Sequence, residues 1–178
     1  MNVLERINSE SGKNDLSFLI IGGHAVNTYG VQRTTADIDL LVDRQERDSW
    51  KSLILKMNYE ATHEADNFIQ FRHKELGHWP LDLMFVDTEI FEKLLADSES
   101  KSVGNNNVKV PKVEHLIALK LHALKEDLAH RENKDTQDVI DLIRIQDIDF
   151  KSEEFKALCL KYVSQAKYEE ICKKSERN

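Results

Sequence analysis

Apolar residues fall in short blocks along the first half of the chain and in helical stripes along the second. Phe18–Ile21 is a run of four, too short for a helix face and suited to a buried strand. Gly22-Gly23 interrupts it, and His24–Tyr29 reads as a short helix ended by Gly30. Asp37–Val42 predicts a second strand. In Gln45–Met57 the apolar residues Trp50, Leu53, Ile54 and Met57 recur at helical spacing. Phe68–Phe71 and Leu81–Val86 predict further strands, and Thr88–Leu95 a helix with Ile90, Phe91, Leu94 and Leu95 on its apolar side. A polar turn over 104–107 leads into a brief strand, Val108–Val110. From Val113 onward the spacing is helical: Val113, Leu116, Ile117, Leu121 and Leu124 mark one face, and Val139, Ile140, Leu142 and Ile143 another. Lys151–Lys174 predicts one or two more helices. The expected class is α/β or α+β: a small mixed sheet flanked by helices over 1–112, then a helical part over 113–178 packed on it as one unit.

Composition narrows the picture. The chain has 178 residues, within the usual size of one domain. The longest purely apolar run is four residues, where a spanning helix needs about 20, so no membrane partner is expected. Met1–Asn8 has no basic stretch followed by an apolar one, so no secretory leader is expected. Two cysteines, Cys159 and Cys172, cannot build a disulfide framework or a four-thiolate metal site, and a reducing cytoplasm is the expected home. The formal charge of −7 excludes a globally basic nucleic-acid binder but not a local basic groove.

The candidate chemistry lies in Thr35-Ala36-Asp37-Ile38-Asp39-Leu40-Leu41-Val42. Side chains alternate along a strand, so Ile38, Leu40 and Val42 share the core face. Asp37 and Asp39 share the other, about 6–7 Å apart at roughly 3.3 Å per residue. Adjacent acids repel, and a divalent cation removes the repulsion; hard oxygen ligands suit Mg²⁺ or Mn²⁺. In Leu81–Phe85 the same alternation sets Asp82 opposite Leu81, Leu83 and Phe85. If the two strands are neighbours, Asp82 joins the pair, and three carboxylates can hold a two-metal centre for phosphoryl or nucleotidyl transfer. An Asp-x-Asp at a strand end, or a lone acid on a sheet face, is also ordinary solvated surface. Asp43, Asp48 and Asp87 read as helix caps or solvated charges. Gly22-Gly23, 14 residues or so before Asp37, is either a plain turn or a backbone cradle for phosphate at a helix start.

Gly22-Gly23, followed by Arg33-Thr34-Thr35-Ala36-Asp37-Ile38-Asp39-Leu40, resembles the nucleotidyltransferases of the DNA polymerase beta superfamily, and within it the minimal and abortive-infection toxin branch. Lys120-Leu121-His122-Ala123 and Arg131–Asp138 resemble that branch's later motifs, and the likeness spans roughly residues 18–145. The resemblance implies Mg²⁺-dependent transfer of a nucleoside monophosphate from an NTP to an RNA 3′ end or a protein hydroxyl, and an antitoxin partner. It implies Asp37, Asp39 and Asp82 as catalytic metal ligands and Gly22, Gly23, Arg33, Thr35, Lys120 and Asp135 as nucleotide contacts. Many members carry Ser at the position of Gly23, which leaves only backbone donors there.

Each further residue carries a plainer alternative. Arg33 fits a bidentate phosphate contact and a structural ion pair equally. Lys120 sits among apolar residues and either snorkels to solvent or, with the resemblance, meets triphosphate. Asp135 pairs with Lys120 or Lys134, or caps a helix starting there; Asp138 reads as structural. His115, His122 and His130, at spacings of seven and eight, and His24, His63, His73 and His78 show no ligand spacing. Trp79 is a rim or core residue rather than a base-stacking one. An inactive binding or regulatory relative and an Asp-x-Asp glycosyltransferase are the competing functions. Retention of all three acids weighs against the first, and the short chain with its Gly-Gly turn against the second.

Overall fold

The computed structural model describes residues 2–125 and 129–176. It divides into two compact units, Met1–Thr28 with Arg33–Lys112, and Tyr29–Gln32 with Val113–Asn178.

The first unit opens with α1 (Val3–Lys13), whose start is fixed by reciprocal bonds between Asn2 and Glu5. It continues through β1 (Leu19–Ile20), α2 (Gly22–Thr28), β2 (Ile38–Asp43), a 3-10 turn over Arg44–Glu46 and α3 (Arg47–Lys56). Then come β3 (Tyr59–Ala65), β4 (Phe68–His73), β5 (Leu81–Val86), α4 (Thr88–Ala96) and a hairpin of β6 (Glu99–Val103) with β7 (Asn106–Val110). Five strands form one sheet in the order β1-β2-β5-β4-β3. Its central pair, β2 and β5, is parallel and the other neighbours are antiparallel. The parallel pair explains the sequence of both strands: Ile38, Leu40, Leu41 and Val42 on one, and Leu81, Leu83 and Phe85 on the other, are buried. Trp50, Ile54, Ile69 and Phe71 complete the core of this unit.

The second unit holds α5 (Val113–Lys125), α6 (Ala129–Ile145), α7 (Glu153–Tyr162) and α8 (Gln165–Ser175). Ser152 and Ser164 cap the last two by accepting from the backbone N–H three residues on, which splits 151–174 into two helices. Leu116, Ile117, Leu121, Val139, Ile140, Leu142 and Ile143 are buried, as their spacing predicts.

The fold is mixed α/β. Three elements carried no apolar signal. α1 buries little beyond Leu4 and Ile7, and β6 alternates without a buried residue. In β3 only Tyr59 is buried, because an edge strand shows one side of its backbone and most of its side chains to solvent. Near the glycine turn and Asp37, element boundaries differ from expectation. The helix begins at Gly22, not His24, and ends at Thr28, while Asp37 lies one residue before β2 rather than in it.

Candidate active site

The register of the central strands builds the site. Asp39 on β2 is the direct partner of Asp82 on β5, and Asp82 is the direct partner of Gln70 on β4. Neighbouring strands lie about 4.8 Å apart, so these residues form one cross-strand row. Their flanking residues Ile38, Leu40, Leu81 and Leu83 point into the core and fix the row on the other face. Asp82 is buried and its Oδ2 accepts from the Gln70 side-chain amide at 3.1 Å. Asp37, two residues before Asp39, accepts from the Thr35 hydroxyl at 2.9 Å.

Gly22 and Gly23 meet this row through close approach. The Ile21 backbone N–H donates to the Asp39 carbonyl at 3.0 Å, so the chain turns into α2 directly beside that acid. Gly22 has φ +62°, and a Cβ there would overlap the Asp39 carboxylate. A Cβ on Gly23 would lie 2.6 Å from Thr35 Oγ1 and 2.5 Å from an Arg33 terminal nitrogen. The glycines are therefore required by the space in front of the acids as well as by the backbone turn. Asn27 of α2 holds the Arg33 segment in place, its amide donating to the Arg33 carbonyl at 2.9 Å and its Oδ1 accepting from the Arg33 N–H at 3.2 Å.

His24 follows the glycines. Burial pushes its imidazole below the ordinary pKa; Asp37 opposes that shift and Arg33 adds to it. Its ring stacks on Trp79 at 5.0 Å between centroids. Neither the histidine nor this stacking partner was legible as part of the site: Trp79 is 45% exposed and belongs to the rim, but it packs on a residue that senses Asp37 and Arg33.

Thus Gly22, Gly23, Arg33, Thr35, Asp37, Asp39 and Asp82 all belong to the first unit and are linked by strand register, hydrogen bonds or glycine contacts. Lys120 and Asp135 belong to the second unit. There Lys120 Nζ lies 2.6 Å from Asp135 Oδ1 and 2.8 Å from Asp138 Oδ2, with side-chain exposures of 11%, 9% and 4%. Lys120 does not snorkel. Burial works against its charge, but the two carboxylates outweigh burial and hold its pKa above the usual lysine range. Asp135 lies inside α6, so it caps no helix start, and Asp138 shares its role as a partner of the lysine. The side chains of His130 and Arg131 lie outside the described residues.

Of the remaining acids, Asp43 caps the 3-10 turn, accepting from the Gln45 N–H and the Thr88 hydroxyl, both at 2.9 Å. Asp48 lies in the first turn of α3. Asp87 occupies the cap position of α4 without a side-chain cap bond and pairs with Arg44 instead at 3.0 Å. The expectation that no histidines share ligand spacing fails at one place: His73, Glu75 and His78 come together, their ligand atoms all within 4.8 Å of one another.

The donor set around Asp39 fits a hard divalent cation. Three carboxylates are the ligand type Mg²⁺ selects, and the space in front of Asp39 is kept clear by the missing Cβ of Gly22.

The model of a family described as nucleotidyl transferase of unknown function matches residues 1–157. No curated protein matches the chain by sequence. Among solved structures, the chain is similar to ANT(2")-Ia in complex with adenylyl-2"-tobramycin, at 17% identity and a TM-score of 0.66, over 90% of this chain and 94% of that one. It is also similar to a lincomycin-bound lincosamide antibiotic adenylyltransferase, LnuA, at 15% identity and a TM-score of 0.56, over 78% and 95%. A nucleotidyltransferase-like protein from Paracoccidioides brasiliensis matches at 16% identity and a TM-score of 0.61, over 98% and 90%. These likenesses place the chain in a nucleotidyltransferase fold. Among the described residues, no helix is long and apolar enough to cross a membrane.

Proposed function

The chain belongs to the family of nucleotidyl transferases of unknown function whose model spans residues 1–157, and from that premise we propose that it transfers a nucleoside monophosphate from an NTP to a hydroxyl acceptor. The observation that carries the reading is the row Asp39–Asp82, with Asp37 beside it and a glycine turn that leaves room for a ligand in front of it. Asp37, Asp39 and Asp82 are the residues that would hold Mg²⁺ or Mn²⁺, which when bound neutralises the triphosphate and favours departure of pyrophosphate.

The chain's own groups divide the remaining work. Backbone N–H groups at Gly22 and Gly23 receive phosphate oxygens at the start of α2, where the backbone can approach closely. The Arg33 guanidinium, beside Gly23, offers paired donors to the same phosphates, and the Thr35 hydroxyl orients Asp37. Asp82 takes the proton of the attacking hydroxyl as its oxygen bonds to the α-phosphorus and the bond from that phosphorus to the pyrophosphate oxygen breaks. The Gln70 amide holds one carboxylate oxygen of Asp82 and so sets the direction of the other. Lys120 and Asp135 are further nucleotide contacts on the strength of the resemblance.

The resemblance to the toxin branch supports an RNA 3′ end or a protein hydroxyl as acceptor, with an antitoxin as partner. A small hydroxylated acceptor is the second reading. It is favoured by the −7 charge, which repels RNA and suits a cationic compound, and by similarity to enzymes named for antibiotic substrates. The test is incubation with each α-labelled NTP and Mg²⁺, offering total tRNA, cell protein or a panel of aminoglycosides and lincosamides. Label in one acceptor with release of pyrophosphate supports the reading and names the acceptor class. Release of a nucleoside diphosphate from an added nucleotide-sugar, with no pyrophosphate from any NTP, would instead indicate sugar transfer, and binding of NTP without turnover of any acceptor would indicate an inactive relative.

A further inference from the structure

We propose that His73, Glu75 and His78 form a binding site for a transition-metal ion of the Zn²⁺ type, separate from the carboxylate row and fastening the β4–β5 loop. The three ligands come from six consecutive residues. His73 ends β4, Glu75 follows in the loop, and Gly77, at φ +86°, turns the chain so that His78 returns over His73. The two imidazole rings stack with centroids 3.7 Å apart and planes inclined by 23°. The ligand atoms of all three side chains lie within 4.8 Å of one another. Ligands sharing one tetrahedral zinc, with bonds near 2.0–2.2 Å, stand about 3.3 Å apart, so the set closes when the stacked rings turn until their nitrogens face one ion. Two imidazoles and one carboxylate are a donor set for Zn²⁺ and its neighbours in the transition series, whereas Mg²⁺ prefers oxygen alone. Glu75 and His78 are exposed, so an ion reaches the site from solvent and finds a further position open.

The surroundings orient these ligands. His73 Nδ1 accepts from the Glu75 backbone N–H at 3.0 Å and lies 3.4 Å from the Glu75 carbonyl. Ligation through Nε2 moves the ring proton to Nδ1, where that carbonyl can accept it, as metal-bound histidine commonly donates its other ring N–H. Asn58 donates its amide to Glu75 Oε1 at 3.2 Å, and its carbonyl accepts from the Lys74 N–H at 3.0 Å. Tyr59, opposite His73 in the β3–β4 register, packs edge-on against the His73 ring and donates its hydroxyl to the Trp79 carbonyl at 3.0 Å. A bound ion therefore ties the loop at a point one residue from Trp79, the ring that stacks on His24. The site acts as a clasp for that loop and stands independently of the transfer reaction.

The test is a titration of metal-free protein with Zn²⁺ in millimolar Mg²⁺, read by competition with a chromophoric chelator and by tryptophan fluorescence. Wild type should bind one equivalent in the micromolar range or tighter and change its emission, and Trp79→Phe should bind equally while losing that change. His78→Ala and Glu75→Gln, both at exposed loop positions, should each weaken binding about tenfold or more. His63→Ala, an exposed histidine on β3 outside the cluster, should bind as wild type. Wild type that binds Zn²⁺ only at millimolar concentration, or a His78→Ala protein that binds as tightly as wild type, overturns the proposal. Thermal melts without metal confirm that the variants are folded.

Discussion

Two groups of aspartates in this protein lie in different surroundings. In the second unit, Asp135 and Asp138 converge on the ammonium of Lys120 at 2.6 and 2.8 Å, and all three side chains are nearly closed off from water. The chain itself supplies the cation there. In the first unit, strand register sets Asp39 beside Asp82, and their neighbours include a neutral amide from Gln70 and the bare backbone of Gly22. Like charges on adjacent strands raise each other's cost of ionisation, and that cost falls when a cation is bound between them. The first arrangement takes its cation from the chain itself. In the proposed reading, the second receives a divalent cation.

Substitutions sharpen this contrast. Asp39→Asn should reduce nucleotidyl transfer by at least about 10²–10³-fold, the scale seen when a key electrostatic contact to a transition state is lost, while the melting temperature stays close to wild type. Lys120→Met should do the reverse to stability. It leaves two buried carboxylates without their cation, a loss of about 3–5 kcal/mol readable by denaturant unfolding. The same pair has a pH signature. Because the folded-state pKa of Lys120 is raised, its stabilisation is complete below the unfolded lysine pKa and disappears as pH climbs through the folded value. Stability should therefore fall in strongly alkaline buffer for wild type and lose that limb in Lys120→Met.

Gly22→Ala should cost about 1–3 kcal/mol, from a left-handed backbone position and a methyl placed on the Asp39 carboxylate, and should depress transfer along with stability. Gln70→Leu should lower kcat about tenfold with little change in KM, since it releases the orientation of Asp82 without touching substrate. The smallest effect belongs to His24. Its depressed pKa means that folding favours the neutral ring, so its stabilisation is present above the unfolded histidine pKa and is lost as pH falls through the folded value. His24→Gln should flatten the mildly acidic part of a stability profile.

Much of this was legible from residues alone because the two central strands announce themselves. Ile38-Asp39-Leu40 and Leu81-Asp82-Leu83 each interleave an acid with core residues, and only one face is free to receive the acid. That the two acids are register partners was not legible, since register depends on the α3–β3–β4 segment between the strands. Gln70 escaped notice because a glutamine in a short strand carries no signal until its partner is known. Asp138 read as structural, but its partner was not legible: three residues from Asp135 on one helix face, it reaches Lys120 only because α5 packs beside α6. His73, Glu75 and His78 were missed because their spacing matches neither helix nor strand, and their meeting depends on the turn at Gly77.

The most direct test of the central claim is calorimetric titration with a non-hydrolysable NTP, with and without Mg²⁺, on wild type and on Asp39→Asn/Asp82→Asn. The account predicts saturable, Mg²⁺-dependent heat for wild type and its loss in the double variant with the fold retained. Equal nucleotide binding by both proteins, or binding indifferent to the metal, would contradict it.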